Sequence, residues 1–269
     1  PESSVVNDVP VAGKTQAVLS LPDGRQVALG NEKEQDTAWM KYVEACTIES
    51  KATTEPADIK IEVARGGEYK IRLEDGTTVW LNSESSLIYP EKFTGDKRAV
   101  RLSGEGYFEV ARDEKKPFIV SVTDMEIKVL GTKFNVTAYQ DEKMTTTTLI
   151  SGAVEVVTPH RSVQLQPGKQ AMVQEGGDDI TVLEVDVELA TSWTAGIFKF
   201  DKMALTDICT RLSRWYDIDF VFEGETGKEK FTGGTWKYVP LKDFLSKIER
   251  VTNVLFLFEN NTVKVVPKK

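Results

Sequence analysis

The sequence predicts two regions of different fold class: a mainly β sandwich, jelly-roll-like, followed by a small α+β domain of order β-α-β-β-α-β-β. Three observations predict this. Between residues 58 and 185, short alternating apolar runs recur between Gly, Pro, Asp and Asn, with no helical stripe among them. Near residue 197 the period changes, and Met203, Leu205, Ile208, Cys209, Leu212 and Tyr216 follow helical spacing. One hairpin pattern is also written twice, as Ala17-Val-Leu-Ser-Leu-Pro-Asp-Gly-Arg-Gln-Val-Ala-Leu29 and as Tyr69-Lys-Ile-Arg-Leu-Glu-Asp-Gly-Thr-Thr-Val-Trp-Leu81.

Residues 1–57 form a leader with one hairpin and a charged insert. The segment up to about residue 16 is polar and is expected to be extended or disordered. The insert runs from about residue 30 to 57, where Trp39, Met40, Tyr42, Val43 and Cys46 offer a short helical stripe. In each hairpin the loop length decides which face the side chains take. A two-residue loop, Asp75-Gly76, would set Ile71 opposite Trp80 and split the apolar set. A three-residue loop, Glu74-Asp75-Gly76, pairs Leu73 with Thr77, Ile71 with Val79 and Tyr69 with Leu81, and is preferred. It is a type I turn closed by a left-handed Gly. The upstream copy agrees, with Pro22 at the second turn position and Gly24 at the left-handed site. Trp80 then shares a face with Lys70 and Arg72. Either another segment covers it, or a cation rests on its ring.

The sandwich spans 58–187. Its runs are 59–63, the second hairpin, 98–102, 106–110, 118–122, 125–130, 134–136, 147–150, 153–157, 162–165 and 170–173, with Gly104, Gly131, Gly152 and Gly168 at run boundaries. Trp193-Thr-Ala-Gly196 marks a seam. In the domain 197–269, strands are read at 197–200, 218–222, 254–258 and 262–266, with a short extended piece at Phe231. One helix follows Asp201 as a start signal. Another carries Leu241, Phe244, Leu245, Ile248 and Val251, with Pro240 at its first position.

Composition narrows the function classes. The 269 residues are 40% hydrophobic and carry a formal net charge of -8, with no long basic run, so a nucleic-acid surface is disfavoured. No apolar stretch is long enough to cross a bilayer. The chain begins at Pro1, which reads as a soluble region excised from a longer protein. Cys209 sits on an apolar helical stripe as a small core residue, while Cys46 lies in a polar segment. A disulfide between them is possible, but nothing in the sequence supports its geometry.

Chemistry is sparse. His160, the one histidine, lies in an apparent exposed turn. With two distant cysteines it supplies no metal cluster. Glu105 with Glu109, or Asp113 with Glu114, are carboxylate pairs of the type hydrolysis uses, against a background of 42 acidic residues. Gly104-Glu-Gly106 is half a phosphate-binding fingerprint without its third glycine. Trp80, Trp215, Tyr216 and Trp236 are candidates for a sugar platform, although core and interface roles suit them better. No catalytic residue, cofactor or metal ion is expected.

Four stretches carry a resemblance: Gly66-Gly-Glu-Tyr through Ser86; Leu102-Ser-Gly-Glu-Gly-Tyr-Phe-Glu-Val110 with Lys116-Pro-Phe118; Val129-Leu-Gly-Thr-Lys-Phe-Asn-Val136; and Leu149-Ile-Ser-Gly-Ala-Val-Glu-Val156 with Leu165-Gln-Pro-Gly168. In these the chain resembles the periplasmic part of the FecR family, membrane-spanning anti-sigma regulators of bacterial cell-surface signalling. Residues from Trp193 onward are similar to the C-terminal domain of the Bacteroidetes branch, itself akin to the short signalling domain of TonB-dependent outer-membrane transporters and secretins. The resemblance implies a periplasmic sensor. It would touch the signalling domain of a substrate-loaded transporter and relay the signal across the inner membrane. Its other partner would be an extracytoplasmic-function sigma factor, held by an N-terminal part absent from this sequence. Contact by strand addition to an open edge of the C-terminal domain, with Lys242, Lys247 and Arg250 or Lys264 setting register, is the expected binding mode. A carbohydrate-binding sandwich with an accessory domain, and a carboxylate enzyme, are the competing classes.

Overall fold

The computed structural model describes residues 12–30, 58–123 and 125–268. The 1–11 leader, the 31–57 insert with its helical stripe, and Cys46 lie outside them. The chain divides into two compact units, one of residues 15–191 and one of residues 1–14 with 192–269.

After the two-residue β1 (Lys14–Thr15), the first unit contains β2 (Ala17–Ser20), β3 (Gln26–Leu29), β4 (Asp58–Val63), β5 (Gly67–Arg72), β6 (Thr78–Leu81) and β7 (Ser85–Pro90). Then follow β8 (Arg98–Glu109), β9 (Phe118–Val122), β10 (Met125–Val129), β11 (Lys133–Ala138) and β12 (Met144–Ser151). The last strands are β13 (Val154–Val157), β14 (Ser162–Leu165), β15 (Lys169–Gln174) and β16 (Ile180–Glu184), before a short helix α1 (Val187–Thr191).

These strands make two sheets that share one member. The first has the order β14-β13-β10-β9-β8-β7-β4-β2-β3, and the second β1-β5-β6-β8-β11-β12-β15-β16. The shared strand is β8. Its first half pairs with β7 and, in parallel, with β9; its second half pairs with β6 and β11. The runs 98–102 and 106–110, expected as separate strands, are therefore one strand. The change of sheet falls at Gly104, whose φ is 90°. A β-carbon there would lie 2.4 Å from Ser85 Oγ and 2.7 Å from the Glu84 carbonyl oxygen. Only glycine lets the chain turn that corner against β7.

Alternation does the rest. Side chains of β4 to β11 point by turns into the core and out of it. At the centre Phe108 stacks on Phe134 with 5.0 Å between centroids, and Phe118 approaches Phe108 at 6.4 Å. Both hairpins take the three-residue loop. Tyr69 faces Leu81 and Ile71 faces Val79, and the Leu73 amide donates to the Thr77 carbonyl at 2.8 Å. Upstream, Leu19 faces Val27, and Gly24 and Gly76 both sit at φ 85°. Trp80 meets both fates at once: the edge of Tyr107 packs on it at 5.4 Å, and Lys70 Nζ lies 4.5 Å above its ring.

Asp75, in the second hairpin loop, has a further task. One carboxylate oxygen accepts from the Thr77 amide at 2.9 Å. The other accepts from Thr77 Oγ1 and from Arg98 Nη1, each at 2.7 Å. Arg98 begins β8 at an inward position, and its side chain is 3% exposed. It also donates to the carbonyls of Ala111 and Lys116 at 2.8 and 2.9 Å and lies over the Phe118 ring.

In the second unit a 3₁₀ turn (Ser192–Ala195) leads to β17 (Ile197–Ala204), α2 (Leu205–Tyr216), β18 (Asp219–Phe222), β19 (Lys230–Trp236), α3 (Leu241–Val251), β20 (Val254–Glu259) and β21 (Thr262–Pro267). The β-α-β-β-α-β-β order is as read. β17 pairs with β19, and β18-β21-β20 form a three-stranded sheet. Two boundaries differ from expectation. Asp201 does not start α2: β17 continues through an irregularity between Phe200 and Met203, with Lys202 at φ 47°, and the helix begins four residues later. Pro240 occupies the position before the first helical turn of α3 rather than within it. The core joins Phe198, Phe200, Leu205, Ile208, Cys209, Leu212 and Trp215 to Leu241, Phe244, Val263 and Val265. Lys237 is buried with them, its ammonium 3.8 Å from the Trp215 ring centroid.

Two substitutions test this account. Gly104→Ala loses about 3–5 kcal/mol in urea unfolding, against roughly 1–2 kcal/mol for Gly24→Ala, which shares a positive φ but meets open space. Asp75→Asn keeps an acceptor for Thr77 yet leaves Arg98 buried without its counter-charge, and lowers stability by about 3 kcal/mol by the same measurement.

Candidate functional site

The three-stranded sheet of the second unit has one face in the core and one outside it. Across the outer face Val221, Lys264 and Leu257 stand in register on β18, β21 and β20, and Leu255 stands opposite Val266. Val221 and Leu257 are 48% and 46% exposed. β18 and β20 are edge strands; β18 presents its backbone groups toward an added strand, whereas on β20 the Phe256 amide already donates to the Glu249 carboxylate at 2.8 Å. Lys264 is held by Glu259 at 2.7 Å; that hydrogen bond raises its pKa and keeps it charged. A cation framed by three aliphatic side chains and one open strand edge suits a polypeptide better than a small ligand.

Lys242, Lys247 and Arg250 are exposed on α3, whose other face supplies Leu241, Phe244, Leu245 and Ile248 to the core. Lys264 projects from the sheet on the side opposite to Val263 and Val265, which share that core. The four cations are thus split between a helix surface and a sheet surface. A third exposed element is aromatic: Trp236 and Tyr238, 62% and 55% exposed, flank the buried Lys237 at the end of β19.

The outer apolar face escaped the sequence reading, although it left a signal. Phe220-Val-Phe222 and Val254-Leu-Phe-Leu-Phe258 are continuous apolar runs, as in strands with two covered faces, whereas solvated strands alternate. Here the second face is open.

Among the described residues, the candidates for the alternative chemistries are each engaged elsewhere or set apart. Glu105 accepts from Asn82 at 2.7 Å, Asn135 at 3.0 Å and Thr137 at 3.2 Å, while Glu109 binds Lys133 at 2.8 Å. Asp113 accepts from the amides of Lys115 and Lys116, and Glu114 pairs with Arg112. Each carboxylate is engaged by its own neighbours. Gly104-Glu-Gly106 lies inside β8, not in a loop before a helix. Of the proposed sugar platform, Trp215 and Tyr216 are buried, and Trp80 meets Tyr107 at 74° rather than in a plane. His160 is exposed, with Nε2 3.7 Å from Asp178. Among the described residues, no group of three or more His, Cys, Asp or Glu converges on a metal position, and no helix is long and apolar enough to cross a membrane.

Comparison with known proteins fits this architecture. Residues 59–155 match the family model for FecR protein, and residues 197–265 match that for the FecR C-terminal region. Two crystal structures of a Parabacteroides distasonis protein assigned as an anti-sigma factor, at 1.65 and 2.50 Å resolution, are 30% identical with TM-scores of 0.72. The matches cover 78% and 79% of this chain and 99% and 100% of those chains. No curated protein matches the chain at a significant level. The class is that of a regulatory protein related to anti-sigma factors. The chain belongs to the FecR family.

Cys209 is 1% exposed within α2, and burial pushes its thiol well above the usual range. In a Cys46→Ser chain, Cys209 therefore resists an aromatic disulfide reagent at pH 8 in buffer and reacts promptly in denaturant, as read by thiolate release.

Proposed function

We propose that this chain is the periplasmic sensor region of a transmembrane anti-sigma regulator. Residues 197–269 act as the contact module and 58–187 as the scaffold that carries it. The module docks on the signalling domain of an outer-membrane TonB-dependent transporter. The signal then passes to an extracytoplasmic-function sigma factor through a membrane-anchored segment outside this sequence. The protein works by contact and catalyses no reaction.

The observation that carries this reading is the outer face of the sheet β18-β21-β20, with Val221, Leu255 and Leu257 around Lys264 and the open edge of β18 beside them. An incoming strand gains backbone hydrogen bonds at β18 and buries the aliphatic side chains, at about 25 cal/mol per Å². Lys264 fixes register against an acidic residue of the partner. Lys242, Lys247 and Arg250 lie on another surface of the same module, where they steer encounter rather than fill the contact.

Titration of the whole chain with the transporter's signalling domain tests this. Val221→Glu with Leu257→Glu weakens binding at least tenfold at unchanged stability. Lys242→Glu, Lys247→Glu and Arg250→Glu together slow association in a salt-dependent way. Binding that survives the first pair and disappears on substitution of the sandwich surface would refute this placement.

A further inference from the structure

The second unit takes residues from both ends of the chain, and the junction is specific. Ala12 packs against its core cluster. Gly13 approaches Trp215 so closely that a β-carbon at position 13 would lie 2.6 Å from Cε3 and 2.8 Å from both Cδ2 and Cζ3 of the indole. No side chain fits that approach; the backbone itself lies on the ring.

Trp215 is in turn fixed by the segment that follows β19. Its Nε1 donates to the Lys237 carbonyl at 2.7 Å, and Tyr216 Oη donates to the Val239 carbonyl at 2.6 Å. The edge of Tyr238 packs on Trp215 with 5.6 Å between centroids, and the Lys237 ammonium sits over the same indole. One buried ring thus touches the chain's N-terminal segment and also the exposed Tyr238.

We propose that Ala12–Gly13 and Trp215 form a clasp: the C-terminal unit holds the N-terminal segment, and Tyr238 is the exposed element through which that hold is controlled. When Tyr238 keeps its place against Trp215, the indole is fixed and the glycine backbone lies on it. When Tyr238 is displaced, the indole loses an aromatic neighbour and the clasp opens. This device is independent of what docks on the outer sheet face. It also means that a fragment starting near residue 190 leaves the Trp215 ring uncovered.

Trypsin cleavage after Lys14 in the folded whole chain, followed by mass spectrometry, reads the clasp as a change in rate over the protection that the pairing of β1 with β5 gives every variant alike. The wild-type protein is cut slowly there. Gly13→Leu is cut about tenfold faster, and Tyr238→Ala, which leaves the cleavage sequence untouched, several-fold faster. Tyr238→Phe retains the ring contact and is cut at the wild-type rate. So is Gly95→Leu, a control at a glycine with open space around it. Circular dichroism verifies that each variant is folded. Unchanged cleavage in Gly13→Leu overturns the clasp. Unchanged cleavage in Tyr238→Ala, or fast cleavage in Tyr238→Phe, overturns control through the aromatic contact.

Discussion

The buried pair between Asp75 and Arg98, 2.7 Å apart, ties together the parts of the sandwich that most need alignment. Asp75 lies in the tight loop between β5 and β6, and Arg98 opens the strand that both sheets share. A buried ion pair gains little net energy, because desolvation offsets its attraction. Its value here is directional. The carboxylate is already oriented by Thr77, and the guanidinium also donates to two carbonyls through Nε and Nη1, so no shifted register satisfies the same groups. The Asp of the Asp-Gly turn builds the hairpin and also fixes where β8 begins.

With its start fixed, β8 sets both sheets. Its inward side chains Val100 and Leu102 serve one half of the core and Phe108 the other, and the corner between them is Gly104. Ser85 closes that corner, donating to the Ser83 carbonyl and accepting from the Glu105 amide at 2.8 Å. A slip of one residue anywhere along β8 would turn Arg98 outward, strand Asp75 and drive Tyr107 and Glu109 into the aromatic centre. One strand therefore transmits the register of each sheet to the other.

What the sequence made legible follows from range. The hairpin loops were readable because turn chemistry is local: Asp-Gly and the apolar alternation lie within a dozen residues. The continuity of β8 was not, because Gly-Glu-Gly has the composition of a strand boundary, and only the packing of Ser85 against Gly104 makes it a corner. β7 was missed because Ser85-Ser-Leu-Ile-Tyr-Pro90 has only a three-residue apolar run, Leu87-Ile-Tyr89, between serines and a proline, without an alternating pattern. β16 hides for the opposite reason: it is an edge strand with Val182 and Leu183 both exposed, so no alternation marks it. In the second unit Asp201 has the residue type of a helix start, but β19 extends its pairing past it. The cations on α3 were readable from helical spacing. The apolar outer face was not, because an unbroken apolar run does not say which of its faces is covered.

The two units face different physical demands. In the sandwich, aromatic packing and one oriented ion pair determine a single arrangement, which suits a carrier. In the second unit, two helices fill the core while β18 keeps a free edge, and valine and leucine stand exposed on the outer face of its sheet. Edge strands of stable monomers are commonly blunted by inward charges, bulges or proline, because a flat apolar edge recruits other chains. Here Pro267 lies on the central strand β21, opposite Val254; on β20 the Glu249 carboxylate accepts from the Phe256 amide at 2.8 Å, whereas β18 carries no charge or proline along Phe220–Phe222. Blunting β18 as well, with one Lys or Pro, would be a small change in sequence. Leaving that edge open, next to a lysine kept charged by Glu259, suits a surface that receives another polypeptide.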